Sequence, residues 1–266
     1  MLDVNKIYCC DCVEGMDQLD SESIDLVVTS PPYDNLRQYN GFSVDFKKVI
    51  SKLYNVVKDG GVVVWVVSDQ TINGSETGSS FRQALMFLDT GFRLHDTMIY
   101  KKENYIPLTH NRYEQAFEYM FIFSKGKPKT FNPIMIPCKN AGKVESYGLS
   151  RRKSIDKAQA MRSDGETTYR ATKDKKIHPN IFEYTLGASK SGHPAPFPDK
   201  LARDMILSWS NENDLVLDPF IGSGTTAIQC IYTNRHYIGF DISEDYCDMA
   251  NSRISESLYR MPDTLF

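Results

Sequence analysis

Apolar positions along this chain follow two periods, and the order in which those periods alternate predicts its architecture. Residues 24–28 and 62–67 are β-branched runs of strand length, and the second is apolar at every position, as suits a strand covered on both faces. Between them, apolar residues at 46, 49, 50, 53, 56 and 57 repeat with a helical period, and Gly60-Gly61 is expected to stop that helix. Residues 6–10 read as a short strand, residues 13–19 as a helical turn after Asp11, and 79–88 as a helix ending near Gly91. Strands follow at 94–101 and 118–124, able to pair as an antiparallel hairpin. From about residue 125 the pattern dissolves, and over 127–192 only residues 181–186 resemble a strand. Regularity returns with a helix at 198–209, a strand at 215–217, a helix at 227–233 and a strand at 237–240. This alternation predicts an α/β, doubly wound and mostly parallel sheet with one antiparallel hairpin and an insertion.

Composition changes that picture little, whereas charge changes it more. The 266 residues suffice for one large domain, or one domain with an insertion, and 41% hydrophobic with 24% charged residues is ordinary for a globular chain. No apolar run of about 18 residues and no basic, then apolar, leader is present, so neither a membrane span nor a secretion signal is expected, and a cytoplasmic location is. Cys9, Cys10, Cys12, Cys138, Cys230 and Cys247 lack the paired spacing of a zinc site and read as reduced structural thiols, with no metal expected. The net charge is -3, yet residues 139–176 carry eleven Lys and Arg against five Asp and Glu, a local +6 that leaves -9 elsewhere. With Tyr147 and Tyr169 among them, these bases fit either a solvated loop or a nucleic-acid contact surface.

Two motifs carry the chemistry. Thr29-Ser30-Pro31-Pro32-Tyr33 follows the apolar strand 24–28, and its two prolines fix two φ angles and remove two amide donors. A stiff turn with free carbonyls, a hydroxyl before them and an aromatic ring after them suits a planar guest bearing N–H groups. The second motif, Asp218-Pro219-Phe220-Ile221-Gly222-Ser223-Gly224-Thr225-Thr226, joins a short buried strand to a helix, and its glycines allow a tight turn and close approach by a ligand. Asp241 ends the next strand, where an acid in a doubly wound fold commonly binds the ribose hydroxyls of an adenosine. No Lys-Ser/Thr follows the glycines and Asp218 would repel a phosphate, so a nucleoside with a cationic centre fits better than ATP.

Together TSPPY and DPFIGSGTT resemble the S-adenosylmethionine-dependent DNA amino-methyltransferases, in the group whose catalytic motif precedes its cofactor motif. The resemblance covers most of the chain and implies a Rossmann-like methyltransferase sheet. It divides the chain into a catalytic half (1–126, with its turn at 29–33), a basic target-recognition insertion (127–192) and a cofactor-binding half (193–266). It implies that Ser30, Pro31, Pro32 and Tyr33 are catalytic. It also implies S-adenosylmethionine contacts from Asp11, Cys12, Thr29, His193, Pro196, Asp218, Phe220, Gly222, Ser223, Gly224, Thr225 and Asp241. Phe197 stands where many relatives carry a lysine. Arg151, Arg152 and Lys153 in the insertion are expected to meet DNA phosphates, which fix position without reading sequence.

The reaction so implied is direct methyl transfer to an exocyclic base nitrogen in double-stranded DNA. Ser30 and the Pro31 carbonyl accept the amine hydrogens and Tyr33 stacks on the base, an orientation that can lower the barrier by on the order of 7 to 11 kcal/mol. Such a base is out of reach inside a duplex and must be flipped, at about a few kcal/mol. Within the family a serine before Pro-Pro goes with cytosine N4 and an Asp or Asn with adenine N6, so Ser30 favours cytosine N4 over adenine N6. Readings from other classes are a non-catalytic DNA-binding module and a methyltransferase for RNA or small molecules. The resemblance further implies a homodimer and a functional pairing with a restriction endonuclease.

Overall fold

The structure, a computed structural model, describes residues 2–32, 44–105, 111–139, 141–142, 144–147, 168–171, 173–185 and 198–259. In chain order these form β1 (Lys6–Cys9), α1 (Cys12–Met16), β2 (Ile24–Thr29), α2 (Phe46–Val56), β3 (Val57–Val67), the short pair β4 (Thr71–Ile72) and β5 (Ser75–Glu76), and α3 (Ser79–Thr90). Next come β6 (Arg93–Lys102), β7 (Phe117–Ser124), β8 (Met135–Pro137), β9 (Val144–Tyr147), β10 (Thr168–Ala171), β11 (Lys175–Ile177) and β12 (Ile181–Tyr184). The chain closes with α4 (Asp199–Trp209), β13 (Leu215–Asp218), α5 (Thr225–Tyr232), β14 (His236–Asp241) and α6 (Glu244–Tyr259).

Two compact units result: Met1–Asn132 together with Asn180–Phe266, and Pro133–Pro179. The larger holds an eight-stranded sheet in the order β1-β14-β13-β2-β3-β7-β6-β12. Neighbours from β1 to β3 are parallel, as are β6 and β12, whereas β7 runs antiparallel to both β3 and β6. The expected α/β sheet with its antiparallel pair is therefore present. Chain connections leave β2 towards β3 on one side and β13 towards β14 on the other, which makes the β2–β13 seam the switch point of the sheet. The smaller unit contains two antiparallel pairs, β8 with β11 and β9 with β10.

Central strands are apolar because helices cover both faces. Leu26, Val27, Val28, Val63, Val64, Trp65, Val66 and Val67 are all fully buried. Trp65 anchors the core: its ring meets Phe87 edge-on at 5.0 Å and Phe220 at 6.3 Å, and its indole N–H donates to Gln83 Oε1 at 2.8 Å. The helix 46–56 begins on an Asp45 cap that accepts from the Lys48 amide at 3.1 Å, and buries Val49, Ile50, Leu53 and Val56.

Three boundaries differ from the sequence reading, each for a physical reason. Gly60 and Gly61 do not stop α2; the backbone is already extended at Val57, and β3 runs through both glycines. Val57 pairs with Ile24 and the next matched pair is Leu26 with Val62, so the extra residues form a bulge, which the φ of +80° at Gly60 accommodates. Helix α5 starts two residues earlier than its apolar period, because Thr225 and Thr226 open it. The strand at 181–184, within the 127–192 span, belongs to the larger unit and pairs with β6. Among the described residues no helix is long and apolar enough to cross a membrane.

Candidate active site

The site is assembled at the carboxyl ends of adjacent parallel strands. Strands β13 and β2 pair in register through Val216–Leu26 and Leu217–Val27, so Asp218 and Thr29, the last residues of the two strands, emerge side by side. Thr29 Oγ1 donates to Asp218 Oδ1 at 2.6 Å, joining two residues 189 positions apart. The same carboxylate accepts from the Phe220 amide at 3.1 Å and, on Oδ2, from Thr226 Oγ1 at 2.6 Å. A hydroxyl at each end of the seam's top edge therefore closes on one acid, and the Ser30-Pro31-Pro32 turn starts one residue beyond it.

Burial shapes the electrostatics of that acid. Asp218 is 1% exposed, and loss of solvent pushes its carboxyl up to about 6, against the opposing pull of donors from Thr226, Thr29 and the Phe220 amide; the nearby charge of Asp241 raises it further. Asp241, half-buried at the end of β14, is also raised by burial and accepts from the Gly222 amide at 3.0 Å and the Ser243 amide at 2.9 Å. Asp241 at this edge, with the negative charge of Asp218 behind it, disfavours a phosphate and suits a cationic ligand better.

The glycine turn is built for close approach. Gly224 holds φ +82°, and a Cβ there would lie 3.0 Å from the Ala250 Cβ on α6. The turn's Ser223 is held from the same helix by Arg253, which donates to the Ser223 carbonyl and, at 2.8 Å, to its hydroxyl. Among the described residues Thr225 Oγ1 is buried without a hydrogen-bond partner, a polar atom left over for a ligand at the head of α5. A nucleoside bearing a positive centre fits this set.

Asp11 and Cys12 lie at the neighbouring strand end. The Cys10 amide donates to the Asp241 carbonyl at 2.9 Å, which sets the start of α1 beside β14. Asp11 caps that helix, accepting from the Val13 amide at 2.7 Å, and remains exposed. Burial pushes the Cys12 thiol up to about 12, so it stays protonated and is a poor nucleophile.

Of the sequence-predicted residues, Asp11, Cys12, Thr29, Ser30, Pro31, Pro32, Asp218, Phe220, Gly222, Ser223, Gly224, Thr225 and Asp241 are brought to one edge, that of β1-β14-β13-β2. Ser30 and Pro32 are partly exposed there, and Pro31 is buried. Thr29 is 0% exposed, so it and Asp218 face each other and not the open edge. Tyr33, His193, Pro196, Arg151, Arg152 and Lys153 lie outside the described residues. Sequence reasoning missed two contributors. Thr226 stands inside the quoted motif, and its place at a helix start was the available signal; Arg253 sits on α6, whose stripe of Cys247, Ala250 and Ile254 was legible but thin.

Comparison with known proteins gives the same direction. The family model described as DNA methylase, for the N6/N4 enzymes, matches residues 24–252. The orphan methyltransferase M.BamHII of Bacillus amyloliquefaciens is 52% identical over 242 residues, spanning 87% of this chain and 89% of its own. Among solved structures, the PvuII DNA methyltransferase (cytosine-N4-specific) aligns with a TM-score of 0.67 at 21% identity, over 98% of this chain and 87% of its own. The M1.HpyAVI–SAM complex aligns at 0.62 and 24% identity, over 93% of this chain and 98% of its own.

Proposed function

This chain belongs to the N6/N4 DNA methylase family, and from that premise we propose that it methylates the exocyclic N4 of a flipped cytosine in duplex DNA, with S-adenosylmethionine as donor. The observation that carries the reading is the Thr29–Asp218 hydrogen bond, because it sets the turn that would hold the base against the turn that would hold the donor. Bound S-adenosylmethionine supplies an electrophilic methyl on a sulfonium centre.

The residues around it bind, orient and accept. Asp241 takes the ribose hydroxyls, Asp11 and Cys12 border the adenine, and the backbone of Gly222 to Gly224 leaves room for the methionine portion. Ser30 Oγ and the Pro31 carbonyl hold the two amine hydrogens, which localises the nitrogen lone pair and makes a weak nucleophile stronger. Tyr33 stacks on the ring of the base. Fixing both reactants in line contributes most of the acceleration, since orientation alone can supply on the order of 7 to 11 kcal/mol. The flip costs about a few kcal/mol, which stacking and phosphate contacts offset. Arg151, Arg152 and Lys153 in the basic segment supply the phosphate contacts, supported by its local +6 charge.

The choice of cytosine N4 rests on Ser30 before Pro31-Pro32. Relatives named type II methyltransferases, such as M.SmaI of Serratia marcescens, support a modification role beside a restriction endonuclease, while the 52% identical relative is named an orphan. Single-molecule polymerase kinetics on DNA from cells expressing the protein reads base and site together. N4-methylcytosine at one short motif is the expected result. N6-methyladenine would overturn the choice of base, and unmodified DNA would overturn methylation itself.

A further inference from the structure

Resting on that function, we propose that Asp218 is a positioning residue: acting through Thr29, it fixes the base-gripping turn against the donor-gripping turn, without touching either ligand. The seam geometry carries this. Both carboxylate oxygens of Asp218 are taken, Oδ1 by Thr29 Oγ1 and the Phe220 amide, and Oδ2 by Thr226 Oγ1. Exposures of 1% for Asp218 and 0% for Thr29 leave neither side chain a face for a ligand.

What remains for the carboxylate is to define where three chain segments sit relative to one another. Thr29 is the last residue of β2, so a hydroxyl locked to Asp218 fixes its χ1 and the direction of the peptide that enters Ser30. Phe220 and Thr226 bracket the glycine turn, so the same acid fixes that turn from both sides. Thr226 Oγ1 also lies 3.4 Å from the Val28 carbonyl, a second contact across the seam. An angular error at Thr29 would be carried straight into the Ser30 hydroxyl and the Pro31 carbonyl. Turnover would then fall while donor affinity, set by Asp241 and the glycine turn, held.

A double-mutant cycle on the full chain tests the assignment, measuring the rate of methyl transfer from labelled S-adenosylmethionine to duplex DNA and, separately, the donor's Kd. Thr29→Val removes the hydroxyl at nearly constant volume, and Thr29→Ser keeps it. The expected result is a loss in kcat of roughly ten- to a hundredfold for Thr29→Val, the size of one hydrogen bond to a charged group. Donor Kd stays within about twofold, and Thr29→Ser restores most of the rate. Asp218→Asn lowers kcat in the wild-type background and adds little in the Thr29→Val background. Two outcomes overturn the assignment: kcat losses that multiply in the double variant, or a donor affinity of Thr29→Val that falls in step with its kcat. If Asp218→Asn does not fold, the Thr29→Val and Thr29→Ser pair decides alone by the same split. A wild type that transfers nothing to duplex DNA overturns the proposed function and the assignment with it, whereas an active wild type with the wrong variant pattern overturns the assignment alone.

Discussion

The two ends of the β2–β13 seam are each closed by an aspartate, and the two solve the same problem in opposite ways. At the amino end, Asp25 of β2 accepts from the Leu215 amide of β13 at 3.0 Å and pairs with Lys58 of β3 at 2.7 Å, with its side chain 21% exposed. At the carboxyl end, Asp218 of β13 is buried and, among the described residues, accepts only from neutral donors. A partner charge and some water make the first an inexpensive clamp. The second holds an uncompensated charge in the protein interior, which costs folding free energy that a neutral or apolar residue would spare. A costly arrangement on the edge proposed to hold the ligands, opposite a cheap one on the other edge, is the pattern of a site that gives up stability for position.

The largest expected effect is a stability difference that depends on pH. The carboxyl of Asp218 titrates near 6 when folded and near 3.8 when unfolded, so the folded state binds the extra proton between those values. Its contribution is fully present below the unfolded value and is lost as pH rises through the folded one. Asp218→Asn lacks that dependence, so the wild type should gain stability relative to the variant as pH falls from 7 to 4, by about 2 kcal/mol from 1.36 kcal/mol per unit. Urea midpoints of both proteins across that range measure it. A constant gap would show that the seam tolerates this charge at no cost, and the contrast with Asp25 would lose its basis.

Gly224→Ala should follow in size. A φ of +82° strains any L side chain, and the added methyl would press on the Ala250 Cβ at 3.0 Å. The two together should cost about 2 kcal/mol, with a weakened affinity for S-adenosylmethionine. Thermal unfolding with and without the donor separates the two: the stability loss appears in both, and the lost affinity appears as a smaller donor-induced shift.

What the sequence disclosed and what it concealed divide along the same line. Thr29 to Tyr33 and Asp218 to Thr226 are legible because their unusual residues, two prolines and two glycines, act locally. Their meeting is legible through the rule that ligands gather at the switch point of a doubly wound sheet. The inward direction of Asp218 is not, because it depends on a hydroxyl 189 residues away and on burial that only the assembled sheet creates. Gly60 and Gly61 mislead for the same reason: a glycine pair after a helical period reads as a stop, and only the pairing of Val57 with Ile24 turns it into a bulge inside β3. The helix over 244–259 went unread because its apolar stripe is broken by Asp, Asn and Ser, and the fold uses it to carry Arg253 to Ser223.

The smallest effect is the sharpest test of the contrast between the two edges. Asp25→Ala removes an acceptor from the Leu215 amide and a partner from Lys58, whose side chain is 42% exposed and can be rehydrated. Surface-like pairs of this kind contribute little, and the strand-end amide can turn to water, so the loss should be about 1 kcal/mol. Asp25 and Asp218 join the same two strands, so if any loosening of the seam were enough to misalign the turn at Ser30, Asp25→Ala would lower turnover as Thr29→Val is expected to. Because the amino end lies at the far side of the sheet from Ser30, turnover per folded molecule should instead be unchanged. Initial rates of methyl transfer, normalised to the folded fraction from the unfolding curve, compare the two ends directly. A matching loss of rate would mean that the seam acts as one rigid body and that Asp218 holds no special place in it.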